Sequence, residues 1–286
     1  MLDELRELWR FRELLLTLVE RELRIRYKNS VLGFMWSLLN PLLTMGAMYV
    51  VFRYFLGNQT PSFSAYVFAA YLPYMFFQLA LMDSSQSVLA ALPVVKKVYF
   101  PREVLPLASV LSNFIHFLLA LTVFFAFLLA VWMRHPDRTP FQPSLVYLPF
   151  LLIIHLALTT GLALFISAMN TFFEDVKYMV GVTLYIMFFF CPVMYFSEQV
   201  RYANAVPAKY SDLVYTLYHL NPVAMICTAF RKVLVAPVDP KIGDRVLPYL
   251  PLDVPLLLVA SAISFLVLIG GYAVFNRMKW RFVERP

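Results

Sequence analysis

Several stretches of this chain are as long as a bilayer is thick and carry at most one ionisable group each, and that alone dictates the solvent they fold in. A hydrocarbon core of roughly 30 Å takes about 20 apolar residues of helix. Candidate spans lie at about 34–55, 66–89, 105–133, 145–169, 178–196 and 254–275. With 61% hydrophobic and 14% charged residues, too little polar surface remains to coat a water-soluble globule. A membrane barrel would need segments of about ten residues that alternate apolar with polar. These runs are apolar on every face, so a barrel is excluded and spanning helices follow.

The segments between the spans set the topology. Residues 3–28 place Leu8, Trp9, Leu15, Leu16, Val19 and Leu23 on one helical face and Arg6, Arg10, Glu13, Glu20, Arg21 and Arg24 on the other. This amphipathic helix is expected either in the cytoplasmic headgroup layer or packed on a partner. Its opening residues are too charged for a cleaved signal peptide and are expected to stay in the mature protein. Asn40-Pro41 is expected to kink the first span. Residues 93–103 and 170–177 form short connections, the first too charged to stay in lipid. Residues 211–236 are apolar but broken at Asn221-Pro222, and each piece is too short to cross. They are expected as two re-entrant half-helices dipping in from outside, with a kinked seventh span as the alternative.

Fifteen Lys and Arg fall on the N-terminal helix, the two short connections and the C-terminal tail. Cytoplasmic flanks carry such an excess, so both termini are expected in the cytoplasm. Trp36, Trp132 and Trp280 fall at span boundaries, where indole prefers to sit. The expected fold is therefore a single all-α integral membrane domain over 1–286, with six transmembrane helices, an N-terminal interfacial helix and a re-entrant pair before the last span. The basic clusters are topological signals, so nucleic acid is not an expected partner.

None of the eight glycines is followed by lysine, so the chain lacks a phosphate-cradling loop of the G-x-x-x-x-G-K kind. His116 and His155 lie inside spans without a metal or triad motif, and are read as hydrogen-bonded structural residues. Cys191 and Cys227 lack metal-ligand spacing. Asp83 is the one carboxylate within a span, at a serine-rich end read as a hydrated interface. So few intramembrane charges argue against an ion-coupled transporter, whose driving ion needs ligands near the midplane. The aromatic residues Tyr185, Phe188, Phe189, Tyr195 and Phe196 recur around Cys191-Pro192, while Tyr71, Tyr74, Phe76 and Phe77 crowd the second span. Such rings can line a conduit for sugar C–H faces, or simply pack helices and meet lipid.

Six blocks, RYKNSVLGFMWSLLNPLL (26–43), LPYMFFQ (72–78), VKKVYFPREVLPLASVLSNFIHF (95–117), NTFFEDVKYMVGV (170–182), CPVMY (191–195) and LNP (220–222), stand in an order and spacing that resembles the permease subunits of O-antigen, teichoic-acid and capsular-polysaccharide ABC exporters. The resemblance implies a homodimer in the bacterial inner membrane, around a channel for an undecaprenyl-linked glycan. It also implies two separate ATPase subunits that bind the ATP and Mg, this chain binding no cofactor itself. Lys96, Lys97, Tyr99, Phe100, Arg102 and Glu103, with Glu174 and Asp175, would touch the ATPase. Arg24, Arg26, Tyr27 and Lys28 would meet the lipid pyrophosphate, and Tyr71, Tyr74, Tyr185, Phe188, Phe189 and Tyr195 would line the channel. His219, Asn221 and Pro222 would form an outer gate. The sequence departs from the family at Glu174, where arginine is common, so no ion pair is carried over there; Asp175 keeps the match. Two rivals are an ABC permease for a drug or small lipid and a membrane glycosyl- or acyltransferase. The second would need an acidic or histidine cluster that the sequence does not contain.

Overall fold

The computed structural model describes residues 2–28, 35–57, 60, 63–134, 142–204, 206–242 and 245–284. Helices α1 (Leu2–Arg10) and α2 (Arg12–Tyr27) are followed by α3 (Met35–Val50), which continues into a π-helical turn, Val51–Phe55. Then come α4 (Phe63–Ala90), the short α5 (Leu92–Val95), α6 (Val104–Arg134), α7 (Leu148–Phe172) and α8 (Val176–Phe190). Four shorter or bent elements follow: α9 (Ser197–Arg201), α10 (Ser211–His219), α11 (Pro222–Leu234) and a two-residue antiparallel hairpin of β1 (Lys241–Ile242) and β2 (Arg245–Val246). Helix α12 (Val254–Met278) ends in a 3-10 turn, Lys279–Glu284.

Four helices, α4, α6, α7 and α12, are long and apolar enough to cross a membrane, and the bent α10–α11 pair makes up to five by length and composition. The first expected span is divided between α3 and its π-helical turn, and the fifth is only 15 residues long. Helix α8 stops at Phe190, six residues before its expected end, because Cys191 precedes Pro192. The residue before a proline is pushed out of the helical region, and Cys191 is extended at φ −91°, ψ 146°. The expected single N-terminal helix is likewise interrupted at Phe11, whose φ of −93° and ψ of 18° separate α1 from α2.

Helix α4 is the axis of the bundle. Val67, Phe68, Ala69 and Ala70 are all fully buried, and four successive buried residues mean that every face of the helix is covered. Helices α3, α6, α7, α8 and α11 supply that cover. The most apolar window of α4 is 72% buried inside the chain, against 28% for α6 and α12, so those two turn most of their surface outward. Helices α7 and α12 pack at Gly161 and Gly271, where an added Cβ on Gly271 would lie 2.0 Å from the Gly161 carbonyl oxygen. Small residues let membrane helices approach this closely. Buried hydroxyls bond within their own helices, as Thr159 does to His155, Ser261 to Leu257 and Ser264 to Ala260. His155 brings its Nε2 within 2.9 Å of the Pro73 carbonyl, which can only accept, so the proton sits on that nitrogen.

One end of the bundle gathers α2, residues 93–103 and the C-terminal turn, each with more Lys and Arg than Asp and Glu. Leu18 of α2, Val88, Val95, Phe100, Leu105, Phe172, Phe275 and Phe282 share a separate apolar cluster there. The other end is built from α9, α10, α11 and the hairpin.

Candidate functional site

The charged end has an anchored half and a presented half. In residues 93–103, Glu103 is buried and accepts from Lys279 at 2.7 Å, and the Arg102 guanidinium lies 5.9 Å from both the Trp280 and Phe282 rings. Partial burial holds Arg102 below its ordinary pKa. Phe100 is half-buried, whereas Lys96, Lys97 and Tyr99 are exposed. The Tyr99 hydroxyl donates to Glu7 of α1 at 2.8 Å, and this bond to a carboxylate holds the phenol above its usual value. The second connection is pinned by Asn170, whose Nδ2 donates to the Ser85 carbonyl at 2.8 Å while its Oδ1 accepts from the Lys177 N–H at 3.0 Å. Phe173, Glu174 and Asp175 are left exposed between α7 and α8. Of the residues expected to touch a partner, Glu103 therefore acts from inside, as the group that ties the connection to the C-terminal turn.

Helix α2 is clamped to α4 and α6. Glu22 accepts from Ser109 at 3.0 Å and from Ser112 at 3.1 Å. Arg26 turns inward and donates to Asp83 at 2.8 Å and to the Asn113 side-chain oxygen at 3.1 Å, while Asn113 Nδ2 also donates to Asp83 at 2.8 Å. Asp83 is thus the partner of Arg26, a pairing the sequence reading missed. The available signal was a lone carboxylate within a span and a basic helix that could reach it. Arg24 faces outward in an i,i+4 ion pair with Glu20, and Lys28 is exposed. The side chain of Tyr27 lies outside the described residues.

The aromatic residues are not brought to one place. Tyr74 is fully buried, donates its hydroxyl to the Leu184 carbonyl and packs on Phe188 at 5.3 Å, joining α4 to α8. Tyr185 and Phe189 are 66% and 59% exposed on the outer face of α8, and their rings meet at 5.4 Å. Tyr195 lies beyond the helix end, with its hydroxyl 2.7 Å from that of Tyr218. Phe196 belongs to the core, stacked near Tyr66 at 4.3 Å. Tyr71 points elsewhere, into a cavity of about 400 Å³ between α3, α4 and α6.

At the opposite end, α10 and α11 meet at 98°. Asn221 caps α11 by accepting from the Val223 N–H at 3.1 Å, and Pro222 starts that helix where no donor is needed. His219 is buried, with Nδ1 2.9 Å from the Tyr215 carbonyl and Nε2 3.3 Å from the Thr228 hydroxyl. These three residues form the bend. The sequence reading also missed what fixes α11 in place. Arg231 is fully buried and donates to three carbonyls, Tyr66 at 3.0 Å, Tyr195 at 2.7 Å and Val193 at 2.7 Å, with its guanidinium 4.2 Å from the Tyr66 ring centre. Lys232 pairs with the buried Glu198 at 3.1 Å and also donates to the Leu250 carbonyl. Among the described residues no three His, Cys, Asp or Glu side chains are grouped to hold a metal ion.

The profile of the ABC-2 type transporter family matches residues 13–235. An O-antigen export system permease protein RfbA from Klebsiella pneumoniae is 30% identical over 275 residues, covering 95% of this chain and 94% of its own length. A second RfbA permease from that organism is 27% identical over 272 residues. One from Myxococcus xanthus is 27% identical over 284 residues, 99% of each chain.

Proposed function

This chain belongs to the ABC-2 type transporter family, and from that premise we propose that it is the channel-forming membrane subunit of an ATP-driven exporter carrying a lipid-linked cell-envelope polysaccharide of the O-antigen kind across the bacterial inner membrane. Its role is transport, and ATP hydrolysis belongs to a separate ABC ATPase subunit. The observation that carries the glycan reading is the similarity to O-antigen export permeases over 94% or more of their length. In this reading α3 with its π-helical turn and α8 serve as the short first and fifth of six spans. Two copies of the chain pair beside the apolar face that α8 exposes, and the glycan moves between them past Tyr185 and Phe189. The undecaprenyl pyrophosphate approaches the exposed Arg24 and Lys28, while the clamped Arg26 holds α2 in place. The α10–α11 bend dips in from the outer side, and both termini are cytoplasmic.

Two ATPase copies would dock on the end formed by 93–103 and 170–177. Support for this comes from the exposed tips of both connections and their common anchorage in one apolar cluster. Nucleotide-driven movement there would reach α1 through Tyr99 and Glu7 and the spans α7 and α8 through Asn170. Reversing two exposed charges, Lys96→Glu with Lys97→Glu, is expected to weaken ATPase co-purification at least about tenfold, equivalent to about 1.4 kcal/mol. Export should fall with it, while thermal stability of the chain in detergent stays unchanged because both side chains are exposed. Full ATPase association together with full export in that variant would refute docking at this end.

A further inference from the structure

The cavity that Tyr71 lines belongs to neither the ATPase-facing end nor the α8 surface. It has the dimensions of a small-ligand site, about 400 Å³. Along α4 it extends from Leu79 to Phe68 and along α6 from Asn113 to Ala120. At 1.5 Å rise per residue these stretches are about 16 Å and 10 Å long, parallel to the bundle axis. The cross-section is then roughly 25–40 Å², wide enough for an extended hydrocarbon chain. Leu72, Met75 and Phe117 make apolar walls, Asn40 and Thr44 of α3 add a polar pair bonded to each other, and Arg26, Asn113 and His116 make one end polar. Trp36 of α3 and Leu79 of α4 are 43% and 42% exposed at its margin, so the slot opens sideways between spans, where the surrounding medium is lipid.

The polar end carries a matched pair, Arg26 with Asp83. Beside it, the exposed face of the last two turns of α2 carries Arg21, Arg24 and Lys28 against Glu20 alone, while Glu22 faces α6. A basic segment at headgroup level attracts anionic lipid. A largely apolar slot with room for a hydrocarbon chain, ending near a surplus of cations at the membrane surface, has the form of a phospholipid site. We propose that it holds one acyl chain of an anionic phospholipid of the host bilayer, with the headgroup at the α2 end, and that this lipid wedges α3 against α4 and α6. On the proposed function the headgroup shares the α2 cations with the exported lipid, so the slot, and not the cations, separates the two.

The test uses the full-length chain, purified in detergent, stripped of lipid and mixed with phosphatidylglycerol or phosphatidylcholine, with retained lipid counted by native mass spectrometry. One phosphatidylglycerol per chain is expected to remain bound, retained at least about fivefold better than phosphatidylcholine. Ala120→Phe fills the slot from α6 and is expected to lower retention at least about tenfold. Thr44→Phe fills it from α3 with the same result, which covers the case in which the α6 variant misfolds. Leu118→Phe, on the exposed side of α6, should retain lipid normally. Equal retention of the two phospholipids, or undiminished retention in both slot-filled variants, would overturn the proposal. So would loss of polyprenyl phosphate binding in both slot-filled variants, which would assign the slot to the tail of the exported lipid instead.

Discussion

Replacing Arg231 with methionine is expected to leave too little folded protein for transport to be measured. The guanidinium spans three acceptors on two separate pieces of chain, the α4 backbone at Tyr66 and the non-helical link at Val193 and Tyr195. A hydrogen bond from a charged donor contributes about 1.5–3 kcal/mol, and a buried carbonyl left without its donor adds a desolvation cost of its own. Loss of three such bonds should cost about 4 kcal/mol or more, a large part of the total stability of an ordinary domain. Methionine also leaves the Tyr66 ring without its cation. Lysine should restore only part of the loss, because a single ammonium cannot reproduce the planar fork. Thermal unfolding in detergent measures the effect, and proteolysis should begin in the 191–196 link. A methionine variant as stable as the parent would show that Arg231 does not hold this link.

Gly271→Ala is the second large effect, and its neighbour supplies the control. The new methyl would start 2.0 Å from the Gly161 carbonyl oxygen, a backbone atom that cannot swing away, so α7 and α12 would have to separate. Overpacking of this kind costs up to about 3 kcal/mol, and here it acts on the contact that joins the last span to the bundle. Gly270→Ala meets nothing within 4 Å and should be neutral or gain up to about 1 kcal/mol from helix propensity. The two variants differ by one position and should move the unfolding temperature in different directions. Equal behaviour would mean that α7 and α12 do not approach at Gly161 and Gly271.

The long spans were legible because one physical quantity, the length of an apolar run, decides them. Helices α4, α6, α7 and α12 begin and end within a few residues of the expected 66–89, 105–133, 145–169 and 254–275. Helix α8 was read too long because its apolar run continues past Pro192 while its backbone cannot. Pairings between distant segments were not legible. Arg231 and Lys232 lie in the segment expected to dip in from outside, where nothing in the sequence marks a partner, yet both are buried, and Glu198 stands 34 residues before Lys232. Asp83 and Arg26 are 57 residues apart, and only the packing of α2 against α4 and α6 brings them together. Likewise, Tyr71 and Tyr74 share a helix, but three residues turn their rings toward different neighbours, one to the slot and the other to α8.

The resemblance grouped Tyr71, Tyr74, Tyr185, Phe188, Phe189 and Tyr195 into one lining, whereas Tyr74 is a core residue and Tyr185 and Phe189 are left on the outside of α8, so packing accounts for part of the set. Glu103 and His219 similarly hold a connection and a bend from within. Of the residues expected at the ATPase, Lys96, Lys97 and Tyr99 with Phe173 to Asp175 remain exposed at the charged end, and on the proposed reading an ATPase would act through them.

The most direct measurement is glycan movement in proteoliposomes that contain this chain with and without its ATPase subunit, supplied with a lipid-linked O-antigen-type polymer. Transport should require both the ATPase and hydrolysable ATP, and should be indifferent to an imposed proton or sodium gradient. Movement of the polymer by this chain alone, driven by such a gradient, would contradict the account.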